Sequence, residues 1–349
     1  MQSQNLSQPR KHAKNEPTVT APNQPPKPPL VIDFHAHMLE REVFEASTNR
    51  TVFTGFGATP AAAPRPGAVS LMARMLDPLA EIADMDARGI DMAVVTASTV
   101  LQGTSWADPQ TDLKLCQRCN DQAAAWATQH PTRFIGSMVL PMQEVTLALD
   151  ELKRAFALGL RVVNLPSSTQ GVYLGDPVFH PFWAEVHARG ITAWIHPEGV
   201  TDPWFQRYAL WNSLGQSIEE AKCMASLIYE GVMTQFAGIK IVMAHGGGYF
   251  PHYMGRLDRN TANRPDTVRH MDGKTPSDFL RHFYYDSCVY DPEVLKVLIA
   301  RVGVDRIVMG SDYPVGEQDP VAWLRGAGLS GDDLENVAGG NAARLLGIS

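Results

Sequence analysis

Eight short runs rich in β-branched and other apolar residues recur along the chain, near 31–35, 92–97, 134–140, 161–165, 191–195, 239–244, 283–287 and 306–310. Most are separated by stretches with helical periodicity, such as 78–88 and 144–157. Strands that alternate with helices pair in parallel, because each crossover returns the chain to the same end of the sheet. Eight such units predict a (β/α)8 TIM barrel, which takes roughly 250 residues plus insertions. The 349 residues have room for one. Two connections exceed a plain βα loop, from 38 to about 76 after strand 1 and from 198 to about 220 after strand 5. In a compact domain such lengths mark lids or binding insertions.

Residues 1–29 are rich in Pro, Asn, Gln and Lys and carry no apolar period, so they are expected to form a disordered tail ahead of a barrel spanning 30–349. A net charge of −7 with no concentrated basic face argues against nucleic acid or an anionic membrane as partner. A small molecule is the expected partner. Neither a signal peptide nor an apolar stretch of about 18 residues is present, and four cysteines form no disulfide-like framework. A cytoplasmic setting is expected. The lone pair Cys116 and Cys119 lies in a helix-like stretch and is expected to be small buried apolar filling.

The chemistry is concentrated at strand ends. On a strand, residues i and i+2 share a face, so His35 and His37 in Val31-Ile-Asp-Phe-His-Ala-His37 can reach one ion together. Trp194-Ile-His196-Pro, Val242-Met-Ala-His245-Gly-Gly-Gly and Val308-Met-Gly-Ser-Asp312-Tyr-Pro each follow an apolar run. In a barrel these groups open on one C-terminal rim, where a divalent ion can take imidazole and carboxylate ligands. Asp33 shares the parity of the two histidines but lies a layer deeper, which suits support rather than ligation. The glycines after His245 let backbone and substrate approach closely, and an imidazole not needed as ligand is free to transfer protons.

These motifs, with Leu140-Pro-Met-Gln143, the run His245-Gly-Gly-Gly-Tyr-Phe-Pro-His-Tyr-Met-Gly-Arg256, Arg264-Pro-Asp266, Gly310-Ser-Asp312-Tyr-Pro314 and Gly340-Asn-Ala-Ala-Arg344, resemble the amidohydrolase superfamily. The resemblance covers about 30–349 and is to the 2-amino-3-carboxymuconate-6-semialdehyde decarboxylase-like branch. It implies His35, His37, His196 and Asp312 as metal ligands, His245 as the acid/base beside the metal, and Arg256 as a substrate-carboxylate ligand, often across a dimer interface. A homodimer or higher homo-oligomer is therefore expected. The chain departs from that branch in several places. The nearest candidate for a second substrate arginine, Arg74, is displaced relative to Asp77-Pro78, Glu198 stands where a tryptophan is usual, and Val315 replaces an aromatic. The end of strand 4, Arg161-Val-Val-Asn-Leu-Pro166, offers no lysine to bridge two metals, so one ion is expected.

Three imidazoles and a carboxylate suit zinc and also tolerate manganese. Two reactions fit. A non-oxidative decarboxylase of a small aromatic or muconate-like acid would use His245 or Asp312 to deliver the proton that replaces carbon dioxide. A hydrolase of an amide, lactone or cyclic ketone would use Asp312 as base and His245 to stabilise the oxyanion. The resemblance favours decarboxylation. Trp204, Phe205, Tyr208 and Trp211 crowd the second insertion, either packing it onto the barrel or a partner subunit or forming, through Trp204, an aromatic wall for a planar substrate.

Overall fold

A computed structural model describes residues 29–47, 50, 71–98, 102–200 and 202–348. The expected tail, apart from Pro29, and residues 48–49 and 51–70 of the first insertion lie outside the described residues. Among the described residues there are ten strands: β1 Ile32–Met38, β2 Met92–Ala97, β3 Phe134–Met138, β4 Val162–Leu165, β5 Ser168–Thr169, β6 Val172–Tyr173, β7 Thr192–Ile195, β8 Lys240–Met243, β9 Tyr284–Asp286 and β10 Ile307–Val308. Eight of them form one parallel sheet in the order β1-β2-β3-β4-β7-β8-β9-β10, the order of the eight expected runs. The sheet closes on itself beyond β10. Phe34 N–H donates to Met309 O at 2.8 Å, Tyr313 N–H to His35 O at 3.1 Å and His37 N–H to Tyr313 O at 3.0 Å. The antiparallel pair β5–β6 was not legible, because two residues per strand are too few to carry a period.

Helices start and stop where local chemistry demands. Asp77 caps Pro78–Arg88 by accepting from Leu79 N–H, and Gly89 ends it in the left-handed region that a glycine adopts without cost. Glu144 caps Val145–Ala157 in the same manner. The expected helices are both found. The connection after β7 runs through a 3-10 segment, Pro203–Ala209, into the long helix Leu210–Tyr229. Among the described residues no helix is long and apolar enough to cross a membrane, and the four cysteines are free and buried.

The strands carry two apolar layers. Phe34, Val94, Val162, Trp194, Val242 and Val308 fill the barrel interior, whereas Ala36, Met38, Val95, Val163, Ile195 and Met243 pack outward with helix residues such as Met85, Leu152 and Leu227. In β1 the alternation breaks. Asp33 pairs with Ala93 and Ala36 with Val95, so β1 carries one residue more than β2 between these points. This bulge re-aims the chain. Ile32 and Phe34 point in, then His35 and His37 point in as well, while Ala36 and Met38 point out.

Strict alternation had placed Asp33 on the histidines' face, and the bulge overturns that expectation. The Asp33 carboxylate accepts His35 N–H and Ser311 N–H, each at 3.0 Å, and the Ser311 hydroxyl. It thus satisfies a donor within the irregular stretch and ties β1 to the segment that closes the barrel. Leaving two buried N–H groups without acceptors costs about 1–3 kcal/mol each. Asp33→Ala is therefore expected to lower unfolding stability by about 2–5 kcal/mol, read from urea denaturation, and a change under about 0.5 kcal/mol would contradict this role.

Candidate active site

His35 lies at the centre of the mouth and is completely buried. Its Nδ1 is 2.7 Å from Asp286 Oδ2, at the end of β9, so its Nε2 is left to face His37 and Asp312. There, His35 Nε2 lies 3.2 Å from His37 Nε2 and 3.3 Å from Asp312 Oδ1, and His37 Nε2 lies 3.2 Å from the same oxygen. Ligand atoms about 2.0–2.2 Å from one ion and roughly 90–110° apart lie about 3–3.5 Å from one another. The triangle fits. His196, which follows β7, brings its ring 5.1 Å from those of both His35 and His37, with Nδ1 3.0 Å from Pro197 O. His37 Nδ1 approaches the Thr96 hydroxyl at 3.3 Å. Each of the three imidazoles therefore has its Nδ1 occupied, which fixes ring orientation and leaves Nε2 as the donor for a cation.

Protonation states agree with ligation for most of the set. Burial lowers the proton affinity of His37 and His196, and the neighbouring imidazoles add to the effect at His196, so both are held neutral. Burial would raise the Asp312 carboxyl, but His35 and His37 prevail and hold it ionised. His35 runs the other way. Burial opposes its charging, yet Asp312 and Asp286 overcome that and push it up to about 10. A divalent cation at the triangle would supply the positive charge instead.

His245 joins the cluster from the turn after β8, with its ring 5.0 Å from His196 and 5.3 Å from His35. Its backbone φ of 46° is in the left-handed region, as is that of Asp312 at 57°. Such strain in non-glycine residues gathers at functional sites. The turn is held by Gly246 N–H donating to Asp286 Oδ1 at 3.1 Å, and His245 Nδ1 lies 2.5 Å from Glu220 Oε1. Tyr290 donates its hydroxyl to Asp312 Oδ2 at 2.7 Å, which leaves Oδ1 to face the histidines. Asp286, Glu220 and Tyr290 were missed from sequence. A carboxylate at the end of the predicted strand 283–287 was a signal for Asp286, whereas the other two reach the site only through tertiary packing.

An inner cavity of about 160 Å³ opens over the cluster, with His37, His196, His245 and Asp312 at its floor. Its apolar wall includes Phe44 and Met75 from the first insertion and Val315. An outer cavity of about 710 Å³ shares Asn212, Gln216, His245 and Asp312 with it. Among the described residues lining either cavity there is no arginine or lysine. Arg74 is paired with Asp84 at 2.7 Å rather than lining the mouth. Arg256 is exposed on the helix Met254–Asn263 and lines a separate surface cleft. Trp204 is 52% exposed and packs edge-on to Phe205 at 5.2 Å, outside the lining of both cavities. Five of the eight residues expected at the site from sequence thus lie together, and Arg74, Arg256 and Trp204 stand apart from their own chain's cavity.

The Asp286 carboxylate orients His35 and the His245 turn at once. Removing such a support to a ligand typically costs 10–100-fold in metal affinity. Asp286→Asn is expected to weaken zinc binding by about that factor in chelator competition, and His196→Ala or Asp312→Ala to abolish stoichiometric binding. Unchanged affinity in all three variants would remove the cluster as a metal centre.

Residues 32–348 match the amidohydrolase family model. The chain is 34% identical over 277 residues to a 2-amino-3-carboxymuconate-6-semialdehyde decarboxylase of Dictyostelium discoideum, covering 78% of this chain and 77% of that one. It is 26% identical over 284 residues to a gamma-resorcylate decarboxylase of Polaromonas, covering 76% and 86% respectively. The structure superposes on the crystal structure of a 5-carboxyvanillate decarboxylase from Sphingomonas paucimobilis with a TM-score of 0.78, at 26% identity and over 92% of this chain and 99% of that one. With the barrel, the strand-end histidines and the aspartate already in place, the chain belongs to the amidohydrolase family.

Proposed function

We propose that the protein is a metal-dependent, non-oxidative decarboxylase of small aromatic or muconate-like acids. The observation that carries this reading is a cluster of four imidazoles and Asp312 at the floor of a small, largely apolar cavity, which leaves His245 free once three histidines and Asp312 are taken as the ligands. The relatives above, by name decarboxylases of a muconate semialdehyde and of hydroxylated benzoic acids, support the same reaction class. In this proposal His35, His37, His196 and Asp312 hold one divalent ion, zinc by the donor set, with manganese as the alternative that the same donors accept. When bound, the ion supplies positive charge and Lewis acidity at the mouth.

The protein's own groups do the rest. The apolar wall keeps water from the reacting carbon and suits a planar ring. As the carbon–carboxylate bond breaks, its electron pair stays on the substrate carbon, and His245 delivers a proton there while carbon dioxide leaves. Recognition of the substrate's charge requires a cation that the described cavity lining lacks. We assign that role to Arg256 of a second copy in a homodimer, since its guanidinium is exposed in its own chain and offers a planar fork for a carboxylate. Arg74, engaged by Asp84, and Trp204, remote from the lining, are not needed for it.

Zinc-loaded and manganese-loaded protein should be screened against hydroxybenzoates, aminobenzoates and muconic acids for carbon dioxide release. Turnover with loss of one carboxyl group is expected, and hydrolysis of amides or lactones without carbon dioxide would overturn the proposal. His245→Asn is expected to keep the metal and lose on the order of 10²–10⁴ in rate. Loss of metal in that variant would make His245 a ligand.

Arg256→Ala is expected to weaken substrate binding sharply with metal content intact, and Arg256→Lys to restore it only partly. Mixing Arg256→Ala chains with His245→Asn chains should regain activity, because one composite site per heterodimer is whole. Unchanged kinetics in Arg256→Ala would exclude it from the site.

A further inference from the structure

The helix Leu210–Tyr229 presents one face to the mouth. Asn212 and Gln216, four residues apart, line the inner cavity, and Glu220, four residues further, reaches His245. On a helix this spacing sets side chains one above another. Glu220 is completely buried, Oε1 lies 2.5 Å from His245 Nδ1, and Oε2 has no hydrogen-bond partner among the described residues. A carboxylate buried with one oxygen unpartnered is tolerated only beside a positive or proton-donating group. His245 is that group, and its own ring is nearly enclosed, with 14% of the side chain exposed.

The glycine turn makes this approach possible. A Cβ at Gly248 would collide with the Ser217 carbonyl oxygen and come 2.7 Å from Glu220 Oε2, and one at Gly247 would come 2.9 Å from Met224 Sδ. Side chains at either position would push the helix away from the turn that carries His245. The glycines thus serve the contact between helix and turn, as well as the turn itself.

We propose that Glu220 is a positioning residue for His245: by accepting the Nδ1–H it fixes the ring's tautomer and orientation, so that Nε2 is the nitrogen presented to the cavity. This rests on the assignment of His245 as the proton donor in the proposed reaction. Carboxylate–imidazole pairs of this kind hold a general acid–base in its working tautomer and stabilise its charged form. Burial pushes the Glu220 carboxyl up to about 7 although His245 pulls it down, while Glu220 raises the imidazole against burial.

The direct test is the tautomer itself. In zinc-loaded protein labelled with ¹⁵N-histidine, long-range proton–nitrogen correlation reports which ring nitrogen of His245 carries the proton, the signals being assigned by their loss in His245→Gln. The wild type is expected to keep Nδ1 protonated throughout, with Nε2 the nitrogen that gains and loses its proton as pH is varied. Glu220→Ala is expected to give a mixture of tautomers, and the isosteric Glu220→Gln to keep the tautomer but move the ring shifts. On whichever acid of the screen is turned over, Glu220→Gln should lower kcat about tenfold or more, with KM within about twofold, metal content unchanged and Glu220→Asp partly restoring the rate. An Nε2–H tautomer with unprotonated Nδ1 in the wild type, or ring shifts and kcat unchanged in Glu220→Gln, would overturn the proposal. The wild-type spectrum decides even where a variant does not fold or no acid of the screen is turned over, so failure of the decarboxylase assignment is separable from failure of this one.

Discussion

A strand that alternates faithfully cannot bury Phe34 and aim His35 into the same barrel, and the mouth of this protein depends on the extra residue in β1 that allows both. Phe34 packs against Trp194 across the interior, with ring centroids 5.9 Å apart, and His35 stacks edge-on above the same indole at 4.8 Å. The bulge therefore converts an apolar strand end into one that presents His35 and His37, the proposed metal ligands, within two residues. Its cost is an irregular ladder, and Asp33 offsets it by accepting the His35 and Ser311 N–H groups. Because Ser311 precedes Asp312, the carboxylate that stabilises the bulge also locates a proposed ligand contributed from the far end of the chain.

From that point the site is organised by pairs of oxygens with divided duties. Asp286 uses Oδ2 for His35 and Oδ1 for the turn that carries His245. Asp312 keeps Oδ1 toward the histidines while Tyr290 occupies Oδ2. Asp33 divides its two oxygens between backbone and hydroxyl donors. Each imidazole of the proposed ligand set is held through Nδ1 by Asp286, Thr96 or Pro197. A cluster of four histidines and an aspartate under a largely apolar wall would be costly in any other arrangement, because unpaired charge is heavily penalised away from water.

Much of this was legible before the fold was known, and the reasons are specific. The eight strands could be read because each is a short buried apolar run followed by a helical period, and His35, His37, His196, His245 and Asp312 could be placed because barrel strands end on one rim. The bulge could not, since nothing in Ile32-Asp-Phe-His-Ala-His37 distinguishes an extra residue from regular alternation, and Asp33 was consequently assigned to the wrong face. Glu220 sits in a helix whose neighbours Glu219 and Gln216 are equally polar, so only the approach of that helix to Gly248 singles it out. Arg74 was chosen by sequence position, whereas its guanidinium is engaged by Asp84, which also accepts from the Tyr313 hydroxyl at 2.9 Å.

The central claim is that four side chains gathered by the bulge hold a single divalent ion while a fifth stays free beside it. X-ray absorption at the zinc edge of stoichiometrically loaded protein tests this most directly. The expected spectrum has three imidazole nitrogens and one or two oxygens at about 2.0–2.2 Å, without sulfur and without a neighbouring metal. Four imidazoles in the shell, any sulfur ligand, or a second metal within about 4 Å would contradict the account.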